Sequence, residues 1–159
     1  MSTPQIAYLD ISPRQTGKTE RLIQRAKTFL EEGRRVYFVT FEGLVEDMGR
    51  RLPGALILKD GGDLPSDEHE DAVWFYDEFD WLDTAQIRRN AFYATTPKRL
   101  REAGIDTSEN DLLLRLIEAH GGRHCRYTWP FDMAETLKEA RTICSPEEFR
   151  MWYLGEFLK

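Results

Sequence analysis

The sequence has little cysteine, no long apolar run and no excess of positive charge, and each shortage excludes a class of protein. The two cysteines, Cys125 and Cys144, are too few for a disulfide framework, so a reducing cytoplasm is expected. No apolar run approaches the roughly 20 residues that cross a bilayer, and residues 1–5 show no secretory pattern, so no membrane partner is expected. The net charge of −6 argues against a free-standing nucleic-acid binder.

The remaining composition is typical of one globular domain spanning residues 1–159, with 41% hydrophobic and 31% charged residues. Apolar runs predict buried strands, and segments with helical spacing of apolar residues alternate with them. Strands are predicted at residues 6–11, 36–41, 55–58, 72–76 and 91–97, with helices at 20–30 and 44–52. This alternation predicts an α/β fold with a mostly parallel central sheet flanked by helices on both faces.

The loop between the first strand and the first helix has the residues of a phosphate-binding loop. It consists of Ser12, Pro13, Arg14, Gln15, Thr16, Gly17, Lys18 and Thr19. The first amides of a helix lack partners within it and attract phosphate oxygens. Gly17 permits close backbone approach, Lys18 can reach the β- and γ-phosphates, and the Thr19 hydroxyl can ligate Mg²⁺. Ser12 stands where the usual pattern has its leading glycine.

A second candidate motif is the apolar run at residues 72–76, which ends in Asp77 and Glu78. Asp77 can hold Mg²⁺, and Glu78 can orient and deprotonate an attacking water molecule. We expect this strand to lie directly beside the phosphate-loop strand, because their carboxyl ends would then meet. An ordinary buried strand that happens to end in acids is the alternative.

A third candidate motif is the strand that ends in Thr95 and Thr96. Next to the acidic strand, these hydroxyls would lie near the γ-phosphate and report its presence to the domain. Four arginines flank this motif: Arg88, Arg89, Arg99 and Arg101. We expect most of them to face solvent, like Arg21 on the first helix, and they form the best local basic patch for a DNA backbone. Arg14 is the candidate for a transition-state arginine within the subunit, and the four are candidates for one acting on a neighbour.

The rest of the chain is assigned from its periodicity and helix-end signals. The predicted elements are a helical connection at 80–90, a helix at 112–119 after a capping box at 108–111, a strand at 124–129, a helix at 133–143 and a helix at 148–157 after a capping box at 145–148. Residues 59–71 predict an acidic surface loop without the spacing of an EF-hand, with His69 exposed. The spacing of His120, His124, Cys125 and Cys144 matches no standard zinc site.

Together, three segments resemble the ATPase motifs of the large terminase subunit, the genome-packaging motor of tailed bacteriophages. They are residues 13–19 (PRQTGKT), 76–78 (YDE) and 94–97 (ATTP). In that family the first loop often lacks its leading glycine and carries Arg-Gln, and the third motif couples hydrolysis to movement. The resemblance covers residues 9–157, and residues 145–159 resemble the segment that precedes the family's nuclease domain. No nuclease domain follows in this sequence.

The resemblance implies a P-loop NTPase of the RecA/ASCE type that hydrolyses ATP with Mg²⁺. Residues 14–19 and Asp77 would bind the nucleotide, Thr19 and Asp77 the metal, and Glu78, Lys18 and Arg14 would act in catalysis. Double-stranded DNA, a homo-oligomeric ring, and a portal protein, small terminase or separate nuclease subunit are the implied partners, in the host cytoplasm. The alternatives are a stand-alone P-loop ATPase, a helicase fragment, or an assembly factor switched by nucleotide.

Overall fold

Five strands and five α-helices make up the computed structural model, which describes residues 3–65 and 71–159. The strands are β1 (Tyr8–Ile11), β2 (Val36–Thr40), β3 (Leu56–Lys59), β4 (Val73–Asp77) and β5 (Phe92–Thr95). The helices are α1 (Lys18–Glu31), α2 (Val45–Arg51), α3 (Leu112–Ala119), α4 (Ala134–Ile143) and α5 (Pro146–Leu154). Short 3₁₀ turns lie at Glu42–Leu44 and Phe79–Trp81. The predicted α/β class is confirmed.

The sheet is parallel throughout, with the strand order β1-β5-β4-β2-β3. The expectation that the acidic strand lies directly beside β1 is therefore wrong, because β5 lies between them. Both faces of β5 carry large rings: Phe92 stacks on Phe75 at 4.7 Å, and Tyr93 stacks on Tyr76 at 5.1 Å. A strand that is apolar on both faces is most stable at the centre of a covered sheet.

Helices cover the two faces of this sheet, and the alternation of side chains along each strand divides the core between them. On one face, Leu22 and Ile23 of α1 and Met48 of α2 pack against the sheet. On the other face, Leu113 and Leu116 of α3 pack against the sheet. The prediction of helices on both faces is confirmed.

Several local predictions need correction. The helical connection predicted at residues 80–90 is wrong: only the first two of these residues are helical, as the end of the 3₁₀ turn at Phe79–Trp81. The strand predicted at 124–129 is reduced to one bridge between Cys125 and Asp10. Helix α3 has the predicted bounds, but its cap is Asp111, whose carboxylate accepts from the Leu114 amide, and not Ser108. The capping box of Ser145 and Glu148 is confirmed.

Parts of the predicted acidic loop lie outside the described residues, namely residues 66–70 with His69. The described residues 61–65 contain no helix. Within the described ranges, none of the helices is long and apolar enough to cross a bilayer.

Helix α5 packs directly on the loop that follows β1. The Arg14 amide donates to the Trp152 carbonyl at 2.7 Å. The helix ends at Gly155, whose φ of 70° is unfavourable for residues with a Cβ. A Cβ there would also lie 3.0 Å from Cδ of Pro13 and 3.1 Å from its backbone nitrogen. Gly155 therefore allows the close contact between α5 and the loop.

We predict that Gly155→Ala destabilises the fold more than Gly33→Ala. Gly33 also follows a helix with positive φ, but a Cβ there meets nothing within 4 Å. The strained backbone costs about 1 kcal/mol at either site. At Gly155 the clash with the loop adds about 2 kcal/mol. Urea unfolding of both variants measures this difference, and equal losses would show that α5 does not pack tightly on the loop.

Candidate active site

The loop at residues 12–19 presents unpaired backbone amides at the N-terminus of α1. Gln15 and Gly17 have φ values of 58° and 87°, which turn the chain tightly into the helix. Within the part of the chain that the structure describes, the amides of residues 15–19 donate no hydrogen bond to a protein acceptor. Thr16 is buried, and its hydroxyl donates to the Pro13 carbonyl at 2.9 Å, which closes the loop on itself. Free amides at the start of a 14-residue helix are suited to bind an anion.

Lys18 lies across the mouth of this loop. Its side chain is only 4% exposed, its Nζ donates to the Pro13 carbonyl at 2.8 Å, and Glu78 Oε1 is 3.8 Å from Nζ. Burial lowers the pKa of Lys18, while the carboxylates of Glu78, Asp10 and Asp77 oppose that shift. The ammonium group is thus held between the loop and the end of β4, where a bound phosphate would meet it.

Thr19 and Asp77 form the second contact between the loop and β4. The Thr19 hydroxyl donates to Asp77 Oδ2 at 2.9 Å, and Asp77 is 3% exposed. Burial raises the pKa of Asp77, and the Thr19 hydrogen bond and Lys18 lower it. A hydroxyl and a carboxylate are hard oxygen donors that suit Mg²⁺. The described ranges contain no cluster of three or more His, Cys, Asp or Glu that could hold a metal ion.

Glu78 projects from the end of β4 into the same region. Its backbone is left-handed, with a φ of 53°, which turns the chain away from the sheet directly after the strand. The Thr96 amide donates to Glu78 Oε2 at 3.3 Å. Burial raises the pKa of Glu78 to about 7, with Lys18 opposing and Asp77 adding to the shift. The side chain is 25% exposed, so water can reach this carboxylate.

Thr95, the last residue of β5, and Thr96, which follows it, connect the loop to the acidic strand. The Thr96 hydroxyl donates to the Ser12 carbonyl at 2.9 Å. The Thr95 hydroxyl accepts from the Asp80 amide at 3.3 Å. Both hydroxyls are therefore used in linking strand ends, and only Thr96 faces the candidate site.

These elements enclose an open cavity of about 310 Å³. It is lined by Arg14, Gln15, Lys18, Phe41, Glu78, Trp81 and Thr96. The cavity thus brings together some predicted residues from each of the three motifs, without Thr19, Asp77 and Thr95, while Phe41 and Trp81 were not predicted. The Arg14 guanidinium lies 4.1 Å from the centre of the Trp152 ring and makes no ion pair in residues 3–65 and 71–159.

Sequence reasoning missed the charged group beneath the loop. Asp10 is fully buried, and Arg21 donates to its Oδ2 from Nη2 at 2.8 Å and from Nε at 3.1 Å. The expectation that Arg21 lies on a solvated surface is therefore wrong. The Ser12 hydroxyl donates to Asp10 and accepts from the Tyr127 amide at 2.9 Å. A single acid within an apolar strand was the available signal, since buried carboxylates need partners.

The position of Ser12 explains the missing glycine. Its side chain joins Asp10 to residue 127, its amide donates to the Thr95 carbonyl at 3.1 Å, and its carbonyl accepts from Thr96. Ser12 is completely buried, and a buried hydroxyl needs hydrogen-bond partners. The serine at this position therefore makes side-chain hydrogen bonds that a glycine could not make.

The expected basic patch is only partly formed. Arg101 is 1% exposed and pairs with Asp80 and Asp111, so it faces neither solvent nor a neighbour. Arg99 pairs with Asp106 and Asp111. The other two arginines differ: Arg88 donates to the Tyr76 hydroxyl at 2.8 Å, and Arg89 is exposed. Arg99 and Arg101 are neutralised by the acids around them, which removes half of the patch.

Comparison of the chain with protein-family models, curated proteins and solved structures finds no match.

We predict that Arg21→Gln destabilises the fold by about 3 kcal/mol, because it leaves the buried Asp10 carboxylate without its cation. Arg25→Gln, one turn further along α1, is the matched control. Arg25 is exposed and its guanidinium lies 4.3 Å from the centre of the Tyr8 ring, so its loss is expected to cost less than about 1 kcal/mol. Guanidinium chloride unfolding compares the two variants. Equal stability losses would contradict the proposed role of Arg21 as the partner of Asp10.

Proposed function

We propose that the chain is a Mg²⁺-dependent ATP phosphohydrolase with a P-loop NTPase fold of the RecA/ASCE type. The observation that carries this proposal is that Lys18 and Glu78 line one cavity, while the adjacent residues Thr19 and Asp77 bond to each other. Lys18 Nζ lies 3.8 Å from Glu78, and Thr19 lies 2.9 Å from Asp77. The strand order supports the proposal, because it lets the ends of β1, β5 and β4 contribute to one site.

The chain's own groups fit the steps of phosphoryl transfer to water. The amides of residues 15–19 and Lys18 bind the β- and γ-phosphate oxygens and neutralise their charge. Thr19 and Asp77 would hold Mg²⁺, which supplies further positive charge at the phosphates when bound. Glu78 orients a water molecule toward the γ-phosphorus and accepts its proton. The bond from the γ-phosphorus to the bridging oxygen breaks, and ADP takes the electron pair.

Arg14 is positioned to act on the same phosphate. It follows Pro13 in the loop, lines the cavity, and packs on the Trp152 ring, with no carboxylate partner among the residues that the structure describes. A guanidinium bound only by an aromatic face remains available to a phosphate. We infer that Arg14 supplies transition-state charge from within the subunit.

We further propose that this ATPase serves a DNA-packaging motor of the terminase type, acting as a homo-oligomeric ring on double-stranded DNA. The resemblance of the three motifs supports this assignment. So does the direct contact of α5 with the phosphate loop, because a change in the loop would then reach the C-terminal segment. Portal protein, small terminase or a nuclease subunit would be its partners in the host cytoplasm.

A second candidate function is an ATPase, or an assembly factor switched by nucleotide, that does not bind DNA itself. The neutralisation of Arg99 and Arg101 favours this reading, because a protein with net charge −6 needs a local cationic surface to bind phosphates.

We predict that Glu78→Gln separates ATP binding from hydrolysis. Glutamine keeps an acceptor for the Thr96 amide but cannot take a proton, so kcat should fall by roughly 10²- to 10⁴-fold with little change in the Kd for Mg·ATP. Lys18→Ala should instead weaken binding by at least about tenfold, because it removes a charged hydrogen-bond donor. Phosphate release and calorimetry measure the two effects.

Lys27→Ala is the control for Lys18→Ala, because Lys27 is exposed on the same helix. Unchanged turnover in Glu78→Gln would contradict the catalytic role of Glu78.

For the motor, we predict that double-stranded DNA stimulates ATP hydrolysis more than single-stranded DNA does, and that added salt weakens the stimulation. Steady-state ATPase assays with matched duplex and single strands measure this. Greater stimulation by single strands would indicate a helicase-type activity. No stimulation at low salt would contradict the motor and favour the second candidate.

A further inference from the structure

A buried ion-pair cluster lies directly behind the acidic end of β4. At its centre, Arg101 is the largest fully buried side chain among the described residues, at 1% exposure. Its two terminal nitrogens bind both carboxylate oxygens of Asp80, at 2.9 Å and 2.6 Å. Its Nε donates to Asp111 at 3.2 Å, and Nη1 also donates to the Arg99 carbonyl at 2.8 Å. Nothing in the proposed chemistry above uses this cluster.

Asp80 belongs to the turn that also carries Glu78. Its carboxylate accepts from the Lys98 amide at 2.8 Å, and its own amide donates to the Thr95 hydroxyl at 3.3 Å. One side chain thus joins the turn after β4 to the segment after β5. The bidentate guanidinium of Arg101 fixes the plane of the Asp80 carboxylate, and with it the bond that this carboxylate accepts from the Lys98 amide.

The same two segments make the contacts that place Glu78 and Thr96 in the cavity. The Thr96 amide donates to Glu78, and the Trp81 indole donates to the Thr96 carbonyl at 2.8 Å. Asp80 lies between Glu78 and Trp81 in the chain. Rotation of the Asp80 carboxylate would break its bond to the Lys98 amide and so loosen the segment after β5 from the turn that carries Glu78.

We propose that Asp80 and Arg101 are positioning residues that set the Glu78 carboxylate in line for water activation. This inference rests on the proposed ATPase function. A buried ion pair adds little net stability once its desolvation is counted, so orientation is the main effect of this pair. Displacement of a catalytic group by about 1 Å can cost roughly a hundredfold in rate. The phosphate loop has its own buried ion pair, between Asp10 and Arg21, although the Thr96 hydroxyl also joins the loop to the segment after β5. We therefore expect loss of the Asp80 charge to lower turnover with little effect on nucleotide binding.

The test compares Asp80→Asn with Arg99→Gln. Asp80→Asn keeps the shape of the side chain but removes the charge that holds Arg101. Arg99→Gln removes a different cation from Asp111 and leaves the Asp80–Arg101 pair intact. For each variant, phosphate release gives kcat, calorimetry gives the Kd for a non-hydrolysable Mg·ATP analogue, and thermal unfolding gives Tm.

For Asp80→Asn, we expect kcat to fall roughly ten- to a hundredfold with an unchanged Kd. Arg99→Gln is expected to keep the wild-type kcat, although it lowers Tm. Arg101→Lys, which keeps the charge but cannot bind both Asp80 oxygens, should repeat the Asp80→Asn result and serves as the test if that variant does not fold.

Three results would overturn the inference. The first is wild-type kcat in Asp80→Asn. The second is a loss of kcat in Arg99→Gln equal to that in Asp80→Asn. The third is a loss of nucleotide binding in Asp80→Asn that matches its loss of kcat. Either of these two results would indicate general destabilisation. If the wild-type protein hydrolyses no ATP, the proposed function fails and this inference fails with it. An active wild type with an active Asp80→Asn variant refutes the inference alone.

Discussion

The candidate site depends on the parallel pairing of β1, β5 and β4. In this register, Ala94 of β5 lies opposite Asp10 of β1 on one side and Asp77 of β4 on the other. Parallel strands lie about 4.8 Å apart, so the loop of residues 12–19 and the acidic turn are separated by about two strand widths. Lys18 and Thr19 span that gap to meet Glu78 and Asp77. The hydroxyl of Thr96 then ties the middle strand to the loop.

Three ion pairs balance carboxylate charges at this edge of the sheet. Arg21 neutralises the buried Asp10 beneath the loop, Lys18 faces Glu78 across it, and Arg101 neutralises Asp80 behind the acidic turn. The Asp10–Arg21 and Asp80–Arg101 pairs each hold one segment, and the Lys18–Glu78 pair joins the loop to the turn. The cost of burying these charges is offset by charged hydrogen bonds within each pair. The cationic side of the cavity that remains open is formed by Arg14 and the loop amides.

Much of this arrangement could be predicted from local sequence pattern. Residues 112–119 were assigned correctly, because their apolar residues repeat with helical spacing and glycines follow at 121 and 122. The residues of the three motifs were predicted because each stands at the end of an apolar run. Strand adjacency was not predictable, since the insertion of β5 between β1 and β4 depends on packing over both sheet faces. Arg101 was also assigned wrongly, because its partners lie 10 and 21 residues away in the chain.

The most direct test of the central claim is a crystal structure of the protein with Mg²⁺ and a non-hydrolysable ATP analogue. We expect the β- and γ-phosphates within the loop of residues 12–19, contacted by Lys18, with the metal ion bound to Thr19 and positioned by Asp77. Glu78 should lie on the side of the γ-phosphate opposite the bridging oxygen. A nucleotide bound away from this loop, or none bound at saturating concentration, would contradict the account.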